Sequence, residues 1–409
     1  MEKNRFYIGI DFSDRSVMVS CYESGQKEPE TISMIAGGES YAIPTLLARR
    51  IGQEQWYFGE DAKKNAMSGD VICIDGLLHK AIAGDSVAIG SETYSGKDLL
   101  AIFISKVMGL TAMMGRRRSF DRLMITVDHL NKEIIDAFYS ILPVLGIPAD
   151  RFALADHKEA FYYYALSQQQ SLWQHDVYLF EYDHLSVRYM ELRRNTRTRP
   201  QTVSINESSR RTLGEDKDND FLNLAKSAFE KHIISTVYLV GSGFDGGWMK
   251  KSLNYLCKGR RAFIGKNLYS KGACYGAAAG DEDTDWPFLY FGENEMKFNL
   301  SLRVMEGGRE NSYTLIESGS SWYTAQGSCE VLLGGSPEID FWKQLPYSRS
   351  SEIETLDISD LPIRPDRASR LRIEAKAIAN DKVDIYIHDL GFGEFYRSSG
   401  KIFHYTMSL

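Results

Sequence analysis

The chain reads as an α/β domain followed by an all-β domain, and three observations lead there. Up to about residue 280, short apolar strands alternate with helical stripes. The composition then breaks at "DEDTDWP", residues 281 to 287. Beyond that point strand patterns follow one another between glycine and proline turns, with no helical stripe. A length of 409 residues accommodates two domains, placed at 1–284 and 285–409, the first divided into lobes near residue 172.

The opening stretch, "FYIGIDFSDRSVMVSCY", alternates apolar residues on both sides of an acidic, glycine-free turn and predicts a hairpin with Asp11 at its tip. "GKDLLAIFISKVMGLTAMMG" carries a helical stripe. "DRLMITV" is a strand, and "NKEIIDAFYSILPVLGI" a helix expected to end near Pro143. "RFALAD" is a strand leading into the helix "HKEAFYYYALSQQQ", whose Tyr162 to Tyr164 run suits packing. "DVYLFEYDHLSVRYMEL" is a second hairpin. Residues 193 to 220 are the most loop-like part, followed by a helix from about 221 to 232. The strand "STVYLVG", a helix over 248–257 and the small-residue helix "KGACYGAAAG" complete this half; the last must pack closely against something.

In the second half, "KFNLSLRV", "SYTLIE", "CEVLL", "EIDFW", "RLRIEAKAI", "KVDIYIHD" and "KIFHYTM" predict a sandwich or barrel of about eight strands.

Composition narrows the function. A net charge of −7 with 43% apolar and 25% charged residues fits an ordinary globular protein and gives no general basis for nucleic-acid binding. Basic clusters at Arg116 to Arg118 and at Arg193, Arg194, Arg197 and Arg199 read as solvated loops. No leader-like or bilayer-length apolar stretch occurs, so a cytoplasmic location without a membrane span is expected. The five cysteines and eight histidines are scattered, without metal-ligand or disulfide spacing.

"GSGFDGG" matches a dinucleotide fingerprint through Gly241, Gly243 and Gly246. The next strand, "AFIG", ends in Lys266 and Asn267 where such a site needs a ribose-binding acid. What remains is a strand-to-helix turn that lets a ligand, or a second stretch of backbone, come very close.

Taken in order, these segments resemble the actin-like (ribonuclease H-like) ATPase superfamily, and within it the DnaK-type heat-shock chaperones. "YIGIDFSDRSVMV" resembles the first phosphate hairpin, and "IPT" with "YFGEDAKK" the segments after it. "RFALADHKEAFYYYAL" is similar to the helix joining the two lobes, and "VYLFEYDHLSVRYMEL" takes the place of the second phosphate hairpin. "VYLVGSGFDGGWM" with "KGACYGAAAG" resembles the adenosine motif, and residues 356–401 resemble the end of the substrate-binding β-sandwich. The resemblance implies ATP with Mg²⁺ held through water by Asp11 and Glu181, phosphates beside Ser13, Asp14 and Asp183, and adenosine beside Gly241, Gly243 and Gly272.

The departures concern phosphate chemistry. Ser13 and Asp14 replace a glycine and a small hydroxyl residue, and Glu181 to Leu185 contain no glycine. Tyr182 and Leu185 fill space a phosphate needs, while Asp183 repels it by about 1 kcal/mol or more. The expected lysine falls near Leu77, with Lys80 three residues on, and His157 stands where an acid is usual. Only residues 193 to 236 separate the second hairpin from the adenosine motif, too few for the chaperones' adenine-gripping subdomain; a helical lid is also expected to be lacking.

The expectation is therefore a DnaK-like pseudo-chaperone or adaptor that binds a peptide or protein partner, with weak or no ATP binding, no ATP hydrolysis and no catalytic residue assigned. Trp322, Tyr323, Phe341 and Trp342 are aromatic candidates for a peptide pocket or for core. An active ATP-dependent chaperone with atypical phosphate loops and an actin-class scaffold or filament protein stand as alternatives.

Overall fold

A computed structural model describes residues 5–35, 38–67, 70–113, 119–281, 284–346, 348 and 350–409. The Arg116 to Arg118 cluster lies outside the described residues. The chain is mixed α/β and divides into two compact units, Met1–Arg193 with Ile205–Trp286, and Arg194–Ser204 with Pro287–Leu409. The division falls at Trp286/Pro287, where the sequence expectation has 284/285. Grouping Arg194–Ser204 with the β-rich unit departs from it.

The first unit is built on two sheets of the same plan. In one, the strand Phe6–Phe12 runs antiparallel to Ser16–Glu23 and parallel to Arg122–Val127, which is parallel to Phe152–Asp156. In the other, Asp176–Tyr182 runs antiparallel to Val187–Asn195 and parallel to Ile234–Val240, which is parallel to Arg261–Gly265. The leading strands are almost wholly buried because parallel neighbours and helices cover both faces. Their sequences accordingly read as near-continuous apolar runs.

The small-residue helix Leu268–Ala279 is the hinge of this packing. A methyl at Gly272 would overlap the backbone carbonyl of Ala160 in the helix His157–Leu166. From the other side, a methyl at Gly9 would overlap the helix backbone at Ser270 and Cys274. Glycine is required on both sides because the two backbones approach more closely than any Cβ allows.

Several elements differ from the sequence expectation for local reasons. The helix Lys132–Leu145 runs through Pro143 and stops at Gly146, whose left-handed conformation (φ 67°) lets its N–H cap the last turn. The stretch read as loop contains the strand Gln201–Glu207, and the helix after it begins at Lys217, capped by the Asp216 carboxylate. The helix expected over 248–257 is only Lys251–Leu256. Its start is set by Asp218, whose carboxylate accepts from the backbone N–H groups of Lys250, Lys251 and Ser252.

The second unit contains two four-stranded sheets closed on one apolar core. One has the order Arg309–Ile316, Asn299–Glu306, Glu338–Gln344, Ser351–Asp357; the other Gln326–Leu332, Arg370–Ala379, Lys382–Gly391, Ile402–Ser408. Ser351–Asp357 escapes a reading by apolar alternation because only Leu356 of its residues is buried. Leu300, Leu302 and Phe341 from one sheet meet Ile373, Ile385 and Ile387 from the other. Phe341 belongs wholly to this core, Trp322 packs against it, and the Arg303 guanidinium lies over the Trp342 ring at 5.2 Å.

A buried ion pair ties the loops of this unit together. Arg364 donates to both carboxylate oxygens of Asp389 at 2.7 Å, and Gly391 N–H, Ser399 N–H and Ser399 Oγ donate to the same carboxylate. Arg364 and these donors hold the Asp389 carboxyl far below its usual range despite its burial. Asp389→Ala is expected to destabilise this unit by about 3–5 kcal/mol, because it strands a buried guanidinium. The depressed value means the stabilisation is present above about pH 4 and is lost as pH falls through the folded value. Urea unfolding followed by deuterium uptake in Lys382–Gly391 measures both effects.

Candidate functional site

The two sheets of the first unit present their chemistry at matching places. Asp11 stands one residue before the end of its strand, opposite Thr126; Glu181 stands one residue before the end of its own, opposite Val240. Asp128 follows the strand Arg122–Val127, and Asp156 closes the strand Phe152–Asp156. The carboxylates thus collect at the carboxyl ends of parallel strands, where open α/β sheets bind ligands.

At their centre lies Arg188, directly across the second hairpin from Glu181 and 1% exposed. Its Nη2 donates to Glu181 Oε2 at 2.7 Å and to Asp128 Oδ1, and its Nη1 donates to Glu207 Oε1 at 2.6 Å. Burial works against this charge, but Glu181, then Tyr269 and Asp128, raise its pKa further, so the guanidinium is permanently cationic. Burial also opposes the Asp128 carboxylate, yet Arg188 and then His157 bring its pKa below the usual value.

His157 serves Asp11 in the same way. Its Nε2 lies 2.9 Å from Asp11 Oδ1, and its Nδ1 faces Asp128 at 3.6 Å, beyond hydrogen-bond range. Its ring stacks on Tyr269 at 3.7 Å between centroids and 6° between planes. Burial disfavours the imidazolium, but Asp11, then Glu181 and Asp128, outweigh it and raise the pKa. The Tyr269 hydroxyl donates to Glu181 Oε2 at 2.8 Å; burial and that carboxylate raise its pKa well above the ordinary phenol value. Lys158 approaches Glu207 and Asp156 at 3.9 Å, and Arg210 reaches Asp128 at 3.1 Å. Each carboxylate here therefore faces a basic side chain of the chain itself.

The other residues singled out from the sequence have local partners. Ser13 Oγ donates to the Ser16 carbonyl and accepts from Ser16 N–H, closing the first turn without glycine. The Asp14 carboxylate accepts from the N–H groups of Leu78 and His79 at the start of Leu77–Ala83. Lys80 Nζ lies 3.9 Å from Asp75. Asp183 accepts from Leu185 and Ser186 N–H, and the intervening His184 adopts φ 72°. Burial opposes the Asp183 carboxylate, but the amides of Ser186 and Leu185, then Arg210, lower its pKa.

The glycine turn packs against the chain. A methyl at Gly241 would overlap the Tyr182 carbonyl, and one at Gly243 would overlap the Tyr182 ring. The Tyr182 ring makes edge contacts with Phe244 and Trp248. The second backbone that the glycine pattern allowed for is thus Tyr182 of the second hairpin.

Two groups offer three metal-ligand atoms within 4.8 Å of one another among the described residues: Asp128, His157 and Glu181; and Asp176, Glu191 and His232. In each, an arginine already lies against a carboxylate: Arg188 in the first, and in the second Arg193, with Nε 2.7 Å from Glu191. Sequence reading passes over Arg188, Asp128, Glu207 and Tyr269. The one available sign is Arg188 itself, a charge set in the apolar run "SVRYMEL".

Arg188→Met is expected to cost about 3–5 kcal/mol in urea unfolding, since it leaves Asp128, Glu181 and Glu207 without their guanidinium. Arg188→Lys restores only part of this, because one ammonium cannot reproduce the planar fork. Gly272→Ala is expected to cost about 1–3 kcal/mol by overpacking. Gly109→Ala, on an exposed position of Gly96–Met113 with nothing within 4 Å of the added methyl, is expected to stabilise by about 0.5–1 kcal/mol. Thermal unfolding of the pair separates close packing from helix propensity.

Comparison with known families matches residues 295–409 to a model described as "Domain of unknown function (DUF8552)". No curated protein matches the chain. Residues 28–293, more than half of the chain, match the model described as "Family of unknown function (DUF5716) C-terminal", and the chain belongs to that family.

Proposed function

We propose that this protein is a partner-binding protein of actin-like build, a DnaK-like pseudo-chaperone or adaptor that does not turn over ATP. Its nucleotide cleft is closed by its own side chains. The observation that carries this reading is the pairing of Asp11 with His157 and of Glu181 with Arg188. Those carboxylates are the ones the resemblance assigns to Mg²⁺, and each already has a basic side chain of the chain itself against it.

The repeated plan of the two sheets supports the two-lobed reading, with Asp11 and Glu181 at equivalent places. The residues present do not fit Mg-ATP. A phosphate turn needs free backbone N–H groups, whereas Leu185 and Ser186 N–H are taken by Asp183, and Ser16 N–H by Ser13. The adenosine-side glycines are packed against Tyr182 and Ala160. Without a bound nucleotide to hydrolyse, the protein's work is recognition, and the eight-stranded β unit supplies a surface of the kind that binds extended chains. Among the described residues no helix is long and apolar enough to cross a membrane.

Isothermal titration of the full chain with Mg-ATP tests this. The expected result is no saturable heat up to about millimolar nucleotide, a free energy weaker than about −4 kcal/mol. Micromolar binding that disappears in Asp11→Ala overturns the proposal in favour of an active ATPase.

A further inference from the structure

The strand Arg261–Gly265 ends the second sheet of the first unit. Its sheet neighbour is Ile234–Val240, and among the described residues no strand or isolated bridge pairs with its other side. An edge of this kind offers a row of backbone donors and acceptors to any extended chain that can lie along it. At its middle Phe263 is 40% exposed and Ile264 53% exposed, although Phe263 also stacks on Tyr238. Natural edges usually carry a charge in the strand itself to repel such pairing. Here the centre is apolar and the charge lies at the two ends.

Along the sequence that charge has one sign. From Gly246 to Gly280 the chain has seven lysines and arginines and no aspartate or glutamate, in a protein whose net charge is −7. Lys258 and Arg261 are exposed and have no ion-pair partner among the described residues. Arg260 is held over the rings of Phe229 and Tyr255 at 4.6 and 5.2 Å, which fixes its guanidinium beside the start of the strand. Lys266 follows the other end, paired with Asp245 at 2.8 Å.

We propose that this edge is a docking site for an extended acidic peptide from a partner protein, taken up as an additional strand. Backbone hydrogen bonds supply register, apolar residues of the peptide cover Phe263 and Ile264, and its carboxylates meet Lys258 and Arg261. A nucleic acid would satisfy the positive charge, but it would leave the backbone edge unused and find one half-exposed phenylalanine where strand binding by stacking needs several rings. This surface is separate from the carboxylate cluster and does not rest on how that cluster treats nucleotide.

The test uses the full chain and a fluorescein-labelled peptide of alternating glutamate and valine, beside one in which lysine replaces glutamate. The acidic peptide is expected to bind and the basic one not to. Its affinity is expected to drop at least about tenfold in Lys258→Glu/Arg261→Glu, whose exposed side chains leave folding intact. Amide exchange at residues 261–265 is expected to slow in the wild-type complex, a readout independent of any variant. Equal binding of both peptides, an unchanged affinity in the double variant, or unaltered exchange along the strand overturns the proposal. An oligothymidylate that displaces the peptide without protecting the strand also overturns it, and marks the face as one for nucleic acid.

Discussion

Arg188 is withdrawn from water among Asp128, Glu181 and Glu207, and the first unit is organised around keeping it paired. A desolvated guanidinium costs several kcal/mol unless its donors meet carboxylates in good geometry. Meeting that condition draws on the second hairpin for Glu181, on the loop after Arg122–Val127 for Asp128, and on the end of Gln201–Glu207 for Glu207. These elements are far apart in the chain, so the pairing holds both sheets to one arrangement. Buried ionic groups of this kind add little net stability, but removing one partner is expensive, which makes the arrangement specific.

The same constraint governs the chemistry of the cluster. Carboxylates gathered at the ends of parallel strands would repel one another and attract a divalent cation. Arg188 meets that demand for three of them, and the His157 imidazole is hydrogen-bonded to Asp11. Tyr269 links the two halves, since its ring stacks on His157 while its hydroxyl binds Glu181. The helix carrying Tyr269 sits so close to its neighbours that Gly272 and Gly9 admit no side chain. Close packing therefore positions the aromatic ring, and the ring in turn helps to position the ions.

Turn chemistry follows a parallel logic. Ser13, Asp14 and Asp183 all have the oxygen acceptors that cap backbone N–H groups, and each is used that way here. The glycines at 241 and 243 give Tyr182 its place. These turn residues, whose types suggest ligand binding, thus find partners within the chain.

The order of elements was legible from the sequence, because apolar periodicity reports local structure directly and both hairpins, the small-residue helix and the β-rich half stand out by it. Asp11 was legible too, as the acid at the turn of the first hairpin, whereas Glu181 was singled out only by the family resemblance. The strand Ser351–Asp357 and the strand hidden in the polar stretch, Gln201–Glu207, were not, since few of their residues are buried. Nor was the ion cluster around Arg188: it lies seven residues from Glu181, but Asp128 and Glu207 reach it only through the fold. Local propensity is a property of neighbouring residues and is written in their order. Charge pairing across two sheets depends on distances that only the folded chain sets.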